Sequence, residues 1–438
     1  MKRSVHCLSG VFCLALGFLS AACGDISADL VDAQVEEVAA PIVATWQASE
    51  PTASPVYSSP TPRATETPTI TITPTLPPTR LPRPTRTPTP TQSPTPTPIP
   101  KLLNACVSYY DKSRSALKYA CWRNNSWNIQ VVDDAGDVGL YSSLVFDPHF
   151  YPMISYFDQG NGVLKLARWT GVKWEIQTVD DWAITGLYTS IAIDQDGNPM
   201  ISYYSRGKGE LNLARMKDEK WQIQKVESVG TGSTSEEPPF YSSLVLDLQG
   251  RPLIGFYDST GEGLKIARWT GSNWEIQAVD LGTRNGRYCS LTLDPQGKPA
   301  ISYFDQANGY LKFAHWTGSN WDIEAVDKAG EVGSFTSLAI SKNGVTHISY
   351  FDEDKDNMKY AMRSGDSWAI RNIDTQGRVG LYTSIALDND DKPYIAYYDF
   401  RNNNLKLSIW TGNYWRFQVV DQSGEVGLYP SLRFEPGY

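Results

Sequence analysis

The strongest constraint in this sequence is a unit that restarts at Leu144, Ile191, Leu244, Leu291, Leu338 and Ile385. Its spacing is 47 residues, broken once where the unit from Ile191 runs 53. One unit reads Leu144-Val145-Phe146-Asp147, then Met153-Ile154-Ser155-Tyr156-Phe157-Asp158, then Leu164-Lys165-Leu166-Ala167-Arg168-Trp169, then Trp174-Glu175-Ile176-Gln177-Thr178-Val179-Asp180. These are four short runs rich in β-branched and aromatic residues, parted by turn clusters such as Asp294-Pro295-Gln296-Gly297. Helical periodicity is absent from them. Four strands in a period of about 40–50 residues mark a propeller blade.

A linear β-solenoid also repeats, so closure needs separate evidence. The array begins in mid-unit: Val107-Ser108-Tyr109-Tyr110-Asp111 matches a second strand with no first strand ahead of it. It ends on Ser431-Leu432-Arg433-Phe434-Glu435, which matches the missing first strand. Six full units and this composite predict an all-β, seven-bladed propeller over residues 101–438, closed by pairing of the C-terminal strand with the first blade. That pairing removes both exposed edges, whereas a solenoid needs caps.

The repeat resembles that of secreted bacterial and archaeal propellers built of Ser-Leu-x-Leu-Asp…Pro-x-Ile-Ser-Tyr-Phe-Asp…Leu-Lys-x-Ala-x-Trp-Thr-Gly-x-x-Trp units, over residues from about 106 to 438. The resemblance implies the fold and carries little about function. A looser likeness links it to fucose-binding propeller lectins, which place Arg where this chain has Ser155, Ser202, Ser302 and Ser349. The Gly-x-x-Trp turn is similar to the Asp-box of sialidases, without its preceding Ser-x-Asp. Neither family's binding residues carry over.

Ahead of the repeats, Lys2 and Arg3 precede an apolar run from Leu8 to Ala22 that is too short to span a bilayer. Residues 1–22 read as an export signal. The run ends Leu19-Ser20-Ala21-Ala22-Cys23, which resembles the lipobox of bacterial lipoproteins, with Ser20 in the place that usually holds Leu. Cys23 is the expected lipidation site; the alternative is an ordinary secretory signal with a bystander cysteine. Residues 23–50 form an acidic spacer. Residues 51–100 are mostly Thr, Pro and Ser, a composition that builds no core or sheet and favours an extended stalk of about 3.1 Å per residue. The expected location is extracytoplasmic, anchored to the membrane or cell surface through lipid alone. A net charge of −9 and the lack of a basic stripe exclude nucleic acid as a partner.

Two sets of repeated residues are candidates for chemistry. Asp111, Asp158, Asp258, Asp305, Asp352 and Asp399 end second strands, and Asp133, Asp180, Asp280, Asp327, Asp374 and Asp421 end fourth strands. Both sets fall at one face, where they are suited to holding cations or to capping turns. Lys118, Lys165, Lys265, Lys312, Lys359 and Lys406 lie on the adjoining strands. Their recurrence in six of the seven units favours a structural role, because a catalytic pair normally occurs once. An aromatic set, Tyr141, Tyr188, Tyr241, Tyr288, Phe335, Tyr382 and Tyr429, stands two residues before each innermost strand. It is either a stacking platform at the channel mouth or packing between blades, and the repeated tryptophans are expected in that packing. Cys106 and Cys121, centred on one hairpin, are placed for a disulfide, the alternative being two unpaired buried thiols.

No metal-ligand spacing joins His6, His149, His315 and His347, and no Gly-x-Ser-x-Gly elbow or phosphate loop occurs. No metal or cofactor is expected. Function is sought where the repeat breaks. In the unit from Ile191 the second-strand Asp becomes Ser205, followed by Arg206 and Lys208, and its Lys becomes Asn212. The six-residue insertion lies within Val229 to Phe240, with Glu236 and Glu237; Trp182 precedes this unit, and Arg284 and Arg287 fall in the loop after the next one. The expected function is a monomeric surface recognition module that binds a glycan or protein ligand, with Trp182 stacking and Arg206, Lys208, Arg284 and Arg287 holding an anionic group. The alternatives are a carbohydrate-active hydrolase or lyase using carboxylates of the same face, and a structural ring that docks partner proteins.

Overall fold

The computed structural model describes residues 104–182, 184–231, 240–260, 263–282 and 284–436. The export signal, Cys23, the spacer, the stalk, Glu236 and Glu237 lie outside the described residues. Within them the chain forms 28 strands in seven four-stranded antiparallel sheets, with no helix among the described residues. Blade 1 joins residues 105–133 to 426–434; blades 2 to 7 span 138–180, 185–228, 240–281, 285–327, 332–374 and 379–421. The molecule is a seven-bladed β-propeller.

Position in the blade explains the wording of each strand. Second strands lie between neighbouring sheets, so both of their faces are dry; Pro152–Asp158 is buried throughout, with Tyr156 at 0% exposure. Such a strand reads as a near-continuous apolar run rather than an alternation. Outermost strands such as Trp174–Asp180 are mostly exposed and polar. The Trp pairs bracket the hairpin between the third and outermost strands: Trp169 and Trp174 are register partners, 5.4 Å between centroids. They pack first within a blade, and the second Trp also reaches the preceding blade, where Trp174 meets Tyr119 edge-on.

Closure is carried by Val426–Phe434, which pairs with Ala105–Asp111 through Val107↔Leu432 and Ser108↔Ser431. A second device runs around the whole ring. The Ser that precedes each innermost-strand Leu or Ile accepts a hydrogen bond from the backbone N–H of that residue in the next blade. The seven bonds, among them Ile191 N to Ser143 Oγ (3.2 Å), Leu432 N to Ser384 Oγ (3.0 Å) and Leu144 N to Ser431 Oγ (3.0 Å), form an unbroken circuit. The serines that stand in the lectins' Arg place have a similar duty, as Ser155 Oγ meets Thr189 Oγ1 at 2.7 Å across a blade junction. At the junction of blades 4 and 5 both partners change together: Gly255 replaces that Ser, and Cys289 replaces the Thr. Cys289 is buried and free, and burial pushes its thiol up to about 12. Cys106 and Cys121 are register partners in blade 1, and their sulfurs are bonded.

Candidate functional site

The repeated carboxylates are fasteners between blades. In blade 2 the Tyr156 hydroxyl donates to Asp133 Oδ2 of blade 1 at 2.6 Å. Lys165 Nζ stands 3.2 Å from that oxygen and 2.7 Å from Asp158 Oδ2. The other carboxylate oxygens cap turns: Asp133 Oδ1 accepts from Ala135 N and Asp158 Oδ1 from Asn161 N. Among the described residues, a lysine bridges two such carboxylates at five of the seven junctions. Burial alone would raise Asp133, but the Tyr156 hydroxyl, the Ala135 N–H and Lys165 outweigh it and hold the carboxyl below its ordinary range; Asp327, Asp374 and Asp421 behave alike. In blade 3 the break spares an orphan charge. Ser205 and Asn212 replace Asp and Lys together, leaving Tyr203 on Asp180 at 2.6 Å.

These groups set the pH dependence of stability. A lowered carboxylate contributes stability that is present above the unfolded value, about 4, and lost as the pH falls through the folded value. His347, 4% exposed, is lowered by burial to about 4. An unfolded histidine titrates near 6.5, so its contribution, at most about 3 kcal/mol, is lost between pH 6.5 and 4. The buried tyrosines Tyr109, Tyr156, Tyr203 and Tyr303 are raised by burial and by their Asp partners, so their contribution holds below pH 10 and is lost above it. Melting temperature against pH therefore shows a shallow acid limb that His347→Leu removes and a steeper limb below pH 4 that it leaves.

The aromatic set forms a closed ring about the axis. Consecutive centroids are 4.3 to 5.0 Å apart all the way round, from Tyr141 to Tyr188 through to Tyr429 and back to Tyr141. Each pair adds about 0.5–1.5 kcal/mol beyond its buried area. Tyr141, Tyr188, Tyr288, Phe335, Tyr382 and Tyr429 lie inside the innermost strands, not before them as the sequence spacing implies, because each strand starts with a bulge. Tyr141 has φ +55° there, and Gly139 has φ +112° with no room for a Cβ, which would lie 2.7 Å from Leu117 Cα of the adjoining blade. Burial pushes the Tyr141 hydroxyl up to about 12 and raises Tyr188 as well. The ring floors the axial channel at the face where turns after second and outermost strands open.

The irregular residues gather around that floor in two groups. Trp182 is 55% exposed, in the connection from blade 2 to blade 3, and Lys208 Nζ of the blade 3 turn lies 4.5 Å from its ring centroid. Arg206 is half-buried beside them. Arg284 is exposed where blade 4 passes to blade 5. Arg287 is not a loop residue: it lies inside the innermost strand Asn285–Leu293, 7% exposed, with its guanidinium 5.7 Å from the Tyr257 ring. It takes the place that Leu140, Leu187, Leu381 and Leu428 hold in other blades, and Ser334 takes it in blade 6. Glu353 of blade 6 is half-buried near the Tyr288 hydroxyl; burial pushes its carboxyl up, Ser334 and Arg378 oppose, and Glu331 and Asp354 add. The sequence reading missed Ser334, Glu353 and Arg378. The signal was present in the Gly-Leu-Tyr motif, which loses its Leu in three consecutive repeats, to Phe240, Arg287 and Ser334.

No protein-family model matches the chain, and no curated protein does. Among solved structures, a protein from Lactobacillus plantarum is similar at 10% identity and a TM-score of 0.53, over 76% of this chain and 99% of that one. The periplasmic gluconolactonase of Pseudomonas aeruginosa is similar at 14% identity and a TM-score of 0.51, over 76% and 99%. A functionally unknown protein from Desulfotomaculum acetoxidans follows at 9% and 0.50, over 74% and 98%. At such identity these likenesses carry the propeller fold and nothing finer.

Proposed function

We propose that this protein is an extracytoplasmic recognition module, tethered through a lipidated Cys23 and held off the membrane by residues 51–100, that binds an acidic glycan over the aromatic floor of the propeller. The observation that carries this reading is Arg287. A cation replaces a buried Leu beside Tyr241 and Tyr288, at the aromatic floor of an acidic protein. Arginine suits carboxylate or sulfate through bidentate hydrogen bonds, and the exposed ring of Trp182 offers a sugar a flat apolar partner. A glycan array with the full chain tests it. Binding to acidic glycans is expected, weakened at least tenfold by Trp182→Ala and by Arg287→Leu, which restores the residue of the other blades, with melting temperature nearly unchanged. Silence on every glycan, or full binding by both variants, contradicts the reading. A second reading, a carbohydrate-active enzyme, is favoured by Glu353, whose raised carboxyl beside Tyr288 has the character of a general acid. Product release abolished by Glu353→Gln would establish it.

A further inference from the structure

On the opposite side of the ring, the cleft between blades 6 and 7 differs from the equivalent cleft between blades 1 and 2. Its volume is about 290 Å³, against about 80 Å³ for the equivalent cleft between blades 1 and 2. Two substitutions in one outermost strand open it. Ala369 stands where other blades carry Asn128, Glu175, Gln222, Glu275, Asp322 and Arg416; Arg371 replaces a Gln found in most blades. In the smaller cleft Gln130 Oε1 accepts from the Trp174 indole N–H at 2.9 Å. Arginine has no acceptor, so Arg371 cannot do this for Trp415, and its guanidinium lies 5.8 Å from the Trp410 ring instead. A third change is internal: His347, in a place held by apolar residues in the other blades, is 4% exposed, lines the cleft and meets the Tyr360 hydroxyl at 2.6 Å through Nδ1.

The chemistry of this lining is specific. Trp410 and Trp415, 5.5 Å apart, supply aromatic walls. Lys392 and Asp390 pair at 3.1 Å and cancel. Arg371 and Asp391 remain as one donor group and one acceptor group of opposite charge. A cleft near the lower bound of about 300 Å³ for small-molecule sites, neutral overall, with aromatic walls and mixed donors and acceptors, matches an uncharged sugar ring. Its hydroxyls bridge donor and acceptor while its C–H face lies on indole. We infer that the cleft between blades 6 and 7 is a binding site for a single neutral pyranose, independent of the acidic-glycan site at the axial mouth.

Saturation-transfer NMR and calorimetry on the full chain test this, with methyl glycosides of neutral hexoses, 6-deoxyhexoses and N-acetylhexosamines, and methyl glucuronide as the acidic comparator. Ring protons of at least one neutral glycoside should receive saturation. Ala369→Glu, which refills the cleft, and Arg371→Gln, which restores the repeat residue, should each weaken its binding at least tenfold. Both positions are exposed, so the fold survives, which an unchanged melt verifies. Trp182→Ala and Arg287→Leu should leave this binding intact, which separates it from the axial site. Absence of transfer to every neutral glycoside, preference for the glucuronide, or undiminished binding by both cleft variants would overturn the inference.

Discussion

A chain lacking Ser431–Tyr438 is expected to lose cooperative unfolding altogether. The deletion removes Leu432, which is fully buried and pairs with Val107, and with it the half of the innermost strand of blade 1 that pairs with Ala105 to Ser108. Two of the seven serine fasteners go at once, since Ser431 no longer accepts from Leu144 N and Ser384 loses Leu432 N. Blade 1 then exposes the unpaired edge of Ala105–Asp111 over its first residues, and the aromatic ring loses support at Tyr429. Such edges invite intermolecular pairing, so aggregation should accompany the loss. Calorimetry is the direct check; a melt like that of the intact chain would contradict closure by this strand.

The second large effect concerns the buried ion cluster of blade 1. Lys118, 2% exposed, lies 2.7 Å from Asp111 and 3.0 Å from Asp421, themselves 0% and 4% exposed. Lys118→Asn leaves two buried carboxylates facing one another without their cation, and should cost about 3–5 kcal/mol. The protein contains its own remedy in blade 3, where Ser205 and Asn212 occupy the two corresponding places. Adding Asp111→Ser to Lys118→Asn should therefore recover most of the loss. Denaturant unfolding of the two variants measures this, and additivity of the two changes would show that the residues do not act as one unit.

These effects show how the sequence could and could not be read. The ring was legible because the repeat is nearly regular and its first strand is displaced to Ser431–Phe434. The fasteners were half legible. Recurrence marked Asp133 and Lys165 as structural, but the bond from Tyr156 to Asp133 joins different units, and no local pattern expresses it. Paired departures from the repeat did record it: Ser205 with Asn212, Gly255 with Cys289, and Glu227 with Phe256 where other junctions have Asp and Tyr. The aromatic set was found, yet its place in the strand was not, since a bulge at Gly139 shifts the register. Arg287 was found by its charge and assigned to a loop for the same reason. The cleft at Ala369 was invisible to a search for functional groups, because its signal is the loss of a side chain.

The most direct test of recognition at the axial face is hydrogen–deuterium exchange on the full chain, with and without the glycan that binds best on the array. Protection is expected in the segments holding Trp182, Arg206 to Lys208 and Arg284 to Arg287, and at Glu353, with the corresponding turns of blades 1 and 7 unchanged. Equal protection of the corresponding turns in all seven blades, or none at this face, would contradict a single site built on the broken repeat.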